Sequence, residues 1–123
     1  MLHFELSEFD SPDEIGSGKI MDSNFLSMLD DARGIAGISF RITSGYRTPA
    51  HNAKVGGVSP GNNSKGSSHL YGYAADIAAP DSRTKYLIVD ALIKAGFNRI
   101  GIGSTFIHCD NDPDKSPNVI WTY

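Results

Sequence analysis

The sequence predicts an α+β fold, with a small, mostly antiparallel sheet and two flanking helices. Three observations carry the prediction: two segments with apolar residues at helical spacing, several short alternating or β-branched segments, and clusters of turn residues between them.

The first helix is predicted from Asp22 to Ala36, where Phe25, Leu26, Leu29, Ala32 and Ile35 recur at three- and four-residue steps. Asp22 or Ser23 can cap it and Gly37 can end it. The period then changes to two, with Ile38, Phe40 and Ile42 alternating against Ser39, Arg41 and Thr43 as in a strand with one buried face. From Arg47 to Ser68 the chain is rich in Gly, Ser, Asn and Pro, which predicts a loop with one helical turn after Pro49. Order resumes from His69 to Ala79, and Ala74, Ala75, Ile77 and Ala78 around Asp76 suit a strand in a tight interior. The second helix starts at a cap on Asp81 or Ser82, carries Tyr86, Leu87, Val89, Leu92 and Ile93, and closes at Gly96. Arg99 to Ile102 and Phe106 to Asp110 read as strands, and Asn118 to Tyr123 as an extended segment that joins the sheet. The run from Asn111 to Pro117 reads as a turn, and no repeat or linker divides the chain, so a single domain over residues 1–123 is expected.

Composition narrows the class. Hydrophobic residues make up 40% and charged residues 20%, values typical of globular chains. The net charge of -3 and the lack of a Lys/Arg-rich run argue against a nucleic-acid partner. Acids stand near the N-terminus where a signal peptide needs basic residues, and no stretch approaches the ~18 apolar residues of a membrane span. Neither an export signal nor membrane insertion is expected. The one cysteine, Cys109, leaves no partner for an intramolecular disulfide and no Cys-rich metal site, so any metal must be held by His and carboxylate groups.

The chemistry-bearing residues are spaced to meet. His69 and Asp76 are separated by a turn at Gly72, and a strand over Phe106-Ile107-His108-Cys109-Asp110 points residues 106, 108 and 110 to one face. Two imidazoles and one carboxylate suit catalytic zinc, which keeps a fourth position for water and activates it at neutral pH. Peptide or amide hydrolysis is the natural chemistry of such a site.

Ser67-Ser68-His69-Leu70-Tyr71-Gly72-Tyr73-Ala74-Ala75-Asp76 fits Ser-x-His-x-x-Gly-x-Ala-x-Asp and resembles the signature of the M15 zinc D-Ala-D-Ala carboxypeptidases and endolysin-type peptidases. Ser44-Gly45-Tyr46-Arg47 upstream and Phe106 to Asp110 downstream extend the resemblance over roughly Ile42 to Asp110. The resemblance implies a hedgehog/DD-peptidase-like fold and a Zn2+ ion held by His69, Asp76 and His108. It implies that Arg47 binds a substrate carboxylate or carbonyl and that Ser67 bonds to the peptide beside the metal. The implied substrates are peptidoglycan stem or cross-bridge peptides. Without an export signal, such an enzyme would reach them by release, as phage lysis enzymes do, or on a virion.

One position departs from the pattern: many relatives carry an acidic general base three residues before the final His, where this chain has Thr105. Asp110, on the face of His108, is the candidate either for that base or for a group that orients an imidazole. The departure also keeps open a non-catalytic reading, a zinc-stabilised binding or virion structural domain as in hedgehog-like relatives. His3 and His51 match no signature position and are read as terminal and loop residues. Cys109 is expected to be buried opposite His108, and Tyr71, Tyr73 and Trp121 are expected to be packing residues.

Overall fold

The computed structural model describes residues 1–123. Helix α1 spans Ser23–Ala36; the Asp22 carboxylate caps it by accepting from the Phe25 N–H at 2.9 Å, and Gly37 closes it in the left-handed conformation. The short helix α2 spans Pro49–Lys54, the helical turn predicted after Pro49, with Thr48 as its cap. Helix α3 spans Ser82–Lys94 and is capped by Asp81. The strands are β1 Ile42–Ser44, β2 Ala74–Ala78, β3 Arg99–Ile102, β4 Phe106–Asp110 and β5 Val119–Thr122.

These strands form one five-stranded sheet in the order β1-β2-β4-β3-β5. All pairings are antiparallel except β3 with β5. The α+β class and the mostly antiparallel sheet are as the sequence predicts.

Strand alternation divides the sheet into an apolar and a polar face. Ala75, Ile77, Ile100, Ile107 and Cys109 join Phe25, Leu26, Leu29 and Ala32 of α1 and Ile88, Ala91 and Leu92 of α3 in a core cluster of 18 buried residues. The opposite face carries a row of residues in direct register: Ser44, Asp76, His108, Gly101 and Trp121, one from each strand. The candidate chemistry is therefore built on strands whose reverse sides form the core.

Four details differ from the sequence reading. The ladder of β1 begins only at Ile42; residues 38–41 keep the predicted in-and-out alternation, with Phe40 buried, but form no strand. A bulge between Ile42 and Ser44 takes up an extra residue, so that Ile42 stays opposite Ile77 while Ser44 faces Asp76. The apolar stripe of α3 centres on Ile88, Ala91 and Leu92, leaving Tyr86 and Ile93 exposed, and Ile35 in the last turn of α1 is exposed too. His51 lies on α2 rather than in a loop.

Residues 1–21 contribute more than their sequence announces. They form two 3-10 turns, Leu6–Phe9 and Ser17–Ile20, and bring Phe4, Phe9 and Met21 into the core. Phe9 packs directly on Gly45, where a Cβ would lie 2.6 Å from the Phe9 Cα, and its carbonyl accepts from the Tyr46 N–H at 2.9 Å. Only glycine permits this approach, which fixes the end of β1 beside the polar face.

Candidate metal centre

His69 is carried by a 3-10 turn, Ser68–Tyr71, that ends at Gly72 in the left-handed conformation and delivers the chain into β2. The imidazole is 3% exposed, and its Nδ1 lies 2.8 Å from the Gly45 carbonyl oxygen. A carbonyl only accepts, so Nδ1 carries the proton and Nε2 presents a lone pair. That Nε2 lies 3.3 Å from Oδ1 of Asp76.

His108 is oriented by a different partner with the same result. Its Nε2 lies 2.7 Å from Oδ2 of Asp110, and its Nδ1 faces Oδ1 of Asp76 at 2.9 Å. The Asp110 carboxylate is almost fully buried; its Oδ1 accepts from Arg99 Nε at 2.6 Å and from the Asp112 N–H at 3.3 Å. One donor atom each from His69, Asp76 and His108 thus converges, all within 4.8 Å of one another.

The donor set fits a zinc ion. Zinc bonds to His nitrogen and carboxylate oxygen are about 2.0–2.2 Å, so neighbouring ligand atoms in a tetrahedron stand roughly 3.3 Å apart. The separations from Asp76 Oδ1, 3.3 Å to His69 and 2.9 Å to His108, are on that scale. Both imidazoles also have their outer nitrogen tied to an acceptor, the usual support of a metal-binding histidine.

The electrostatics divide the two histidines. Burial pushes the His69 imidazole down, towards its neutral ligand form, against the pull of Asp76. Burial acts downward on His108 as well, but hydrogen bonds to Asp110 and Asp76 outweigh it and raise the group. Burial alone would raise Asp76, yet the two histidines hold it well below the usual carboxylate range. Asp110 is likewise lowered against its burial, by His108 and Arg99.

Arg47 sits beside this centre with one hydrogen bond from each of its three guanidinium nitrogens, which leaves two N–H groups to donate elsewhere. Its guanidinium donates to Asp76 Oδ2 at 3.3 Å, to Ser44 Oγ at 2.9 Å and to Asn52 Oδ1 at 3.2 Å. Asn52 is buried and donates its own amide to the Val58 carbonyl at 3.0 Å, which ties α2, the following loop and Arg47 together. The Ser67 hydroxyl accepts from the His69 N–H at 3.3 Å and lines the same cleft, with its own proton free to donate.

The cleft over His69, Asp76 and His108 has a volume of about 530 Å³, with Arg47, Ser67, Arg99, Lys115, Trp121 and Tyr123 also in its lining. Trp121, read from the sequence as a packing residue, lines the cleft instead, and Tyr123 joins it there. Trp121 is on β5 and Tyr123 follows that strand, and both lean across β3 because Gly101 has no side chain there: a Cβ would meet Trp121 Nε1 at 2.7 Å and Tyr123 Oη at 2.9 Å. The Trp121 ring reaches His108, with centroids 5.5 Å apart, and Arg99 stacks on it at 5.2 Å. Tyr71 and Tyr73 stay outside the cleft lining, and Cys109 is buried in the core as expected. Thr105 is exposed at the turn between β3 and β4.

A buried pair of histidines and a carboxylate at the floor of an open cleft is the donor arrangement of a metallohydrolase. The chain belongs to the peptidase M15 family, whose model matches residues 3–110, and it is therefore a metallopeptidase by family. No curated protein matches the chain.

Proposed function

We propose that this chain is a zinc-dependent peptidase that hydrolyses peptide bonds in the stem or cross-bridge peptides of bacterial peptidoglycan. The observation that supports it most is the convergence of His69 Nε2, Asp76 Oδ1 and His108 Nδ1 under an open cleft, within a chain of the M15 family. When bound, zinc supplies a Lewis acid and an activated water at neutral pH.

The protein's own groups divide the remaining work. The Gly45 carbonyl and Asp110 keep the outer protons on His69 Nδ1 and His108 Nε2, so that both inner nitrogens stay available as ligands. Arg47, locked by Asp76, Ser44 and Asn52, presents a fixed positive charge at the reacting end of the cleft, where a substrate carbonyl or carboxylate lies. Ser67 donates its hydroxyl to the peptide backbone from the turn that carries His69. With both of its oxygens engaged, Asp110 serves as the group that orients His108 rather than as a proton acceptor.

One observation favours a second reading. Asp76 and Asp110 are the only carboxylates in the cleft lining, and both are already committed, which suits a non-catalytic domain that keeps zinc for stability. Incubating the zinc-loaded protein with purified peptidoglycan and identifying new amino termini by mass spectrometry separates the two. Cleavage by the wild type and none by His108→Ala supports the peptidase; zinc bound at one equivalent with no cleavage supports the structural role.

A further inference from the structure

A second cavity, of about 570 Å³, lies against the metal centre on its β1 side, and the site described above does not use it. It shares Arg47, Val55, Asp76 and Phe106 with the first, so the two cavities adjoin with the metal-facing carboxylate between them. Its further lining includes Arg41, Thr43, His51 and Thr105. Each cavity falls in the size range of small-ligand sites.

Its charges are unbalanced in one direction. Asp76 is the sole acid in the lining, and it is already paired with Arg47 at 3.3 Å. Arg41 projects from the segment entering β1 and makes no ion pair or side-chain hydrogen bond within the chain; nor does the His51 ring. The acid beside His51 is Asp13, whose two oxygens accept from Ser11 Oγ at 2.5 Å and Thr48 Oγ1 at 2.6 Å. A free guanidinium fork and a free imidazole thus face a cavity that contains no uncommitted carboxylate.

We propose that this cavity is a second substrate subsite, in which Arg41 and His51 bind a carboxylate on a residue flanking the scissile bond. The proposal rests on the peptidase reading and adds a substrate class to it: acidic peptides that extend from the metal centre into the second cavity. A guanidinium matches a carboxylate bidentately, which gives Arg41 the leading part. The metal centre opens into the first cavity and the second begins at Asp76 and Arg47, so a peptide that fills both runs past the metal centre on its β1 side.

The test compares two synthetic stem peptides that differ only in a free or an amidated carboxylate next to the scissile bond. For the zinc-loaded wild type, KM for the acidic peptide is expected to be about tenfold lower, the scale of one charge-assisted hydrogen bond. In Arg41→Gln that preference is lost, with the change falling on KM; in Arg41→Lys it is partly restored. Equal KM values in the wild type, or a preference that survives Arg41→Gln, overturns the subsite. Should neither peptide be cleaved, the peptidase reading fails, and direct binding of the same peptides, followed by Trp121 fluorescence, still decides the subsite by the same preference and its loss. Zinc content measured on each variant confirms that the metal centre is intact.

Discussion

Nε2 of His108 lies 2.7 Å from a buried oxygen of Asp110, and this bond selects the nitrogen that faces Asp76. Asp110 is itself fixed by Arg99 at 2.6 Å, so the chain Arg99-Asp110-His108 holds the ring from behind. Removing such a support commonly costs 10–100-fold in metal affinity. Asp110→Ala is therefore expected to weaken zinc binding by about that factor, read by competition with a chromophoric chelator. An affinity equal to the wild type would show that packing alone orients His108.

Metal binding should also register as stability. Only the folded chain brings His69, Asp76 and His108 within 4.8 Å, so a metal ion held by them would favour the native state. At a free zinc concentration 100 times Kd, the gain is about 2.7 kcal/mol. The wild type is expected to melt several degrees higher with zinc than with a chelator, and His69→Ala to show no such difference. A zinc-dependent rise retained in His69→Ala would place the metal elsewhere.

Much of this was legible in the sequence, for identifiable reasons. The two long helices announced themselves because Asp22, Gly37 and Asp81 mark their ends and the apolar periodicity is local. The convergence of His69, Asp76 and His108 was legible from the ordered motifs, and strand alternation put Asp110 on the face of His108. What escaped depends on distant pairing. The parallel match of β5 to β3 brings Trp121 beside Gly101, and no local pattern encodes it. Asn52 looked like one polar loop residue among many, and its burial against Arg47 and Val58 exists only once the loop is folded. The bulge that aims Ser44 at Asp76 is likewise a property of the pair β1 and β2, not of either strand.

Gly101 offers a direct handle on the cleft wall. A Cβ at this position collides with both Trp121 and Tyr123, which would have to move off β3 and away from His108. Gly101→Val is expected to cost about 1–3 kcal/mol by overpacking, and to reduce peptide cleavage by opening the wall. Trp121 is the only tryptophan, so its emission reports the displacement without a label. Unchanged emission together with an unchanged urea midpoint would mean that the two rings are not held over Gly101.

The turn that carries His69 is braced from outside the cleft by Asp112. Its buried carboxylate accepts from Lys65 Nζ at 2.8 Å, Ser68 Oγ at 2.7 Å and the Asp114 N–H at 3.1 Å, and Lys115 Nζ reaches the same Ser68 hydroxyl at 2.8 Å. Burial alone would raise the Asp112 carboxyl, but the bonds from Lys65 and Ser68 outweigh it and hold the group below its ordinary value. Because the folded value is the lower one, the unfolded chain takes up the proton first as pH falls. The contribution of Asp112 is thus complete above the ordinary carboxylate value of about 3.9 and fades as pH drops through the lower folded value. Asp112→Asn is expected to lose about 1–3 kcal/mol at pH 7, with the gap to the wild type narrowing in acid. Urea unfolding of both proteins across that range checks it: a gap that stays constant down to the lowest pH would mean that the charge of Asp112 does not stabilise the turn beneath His69.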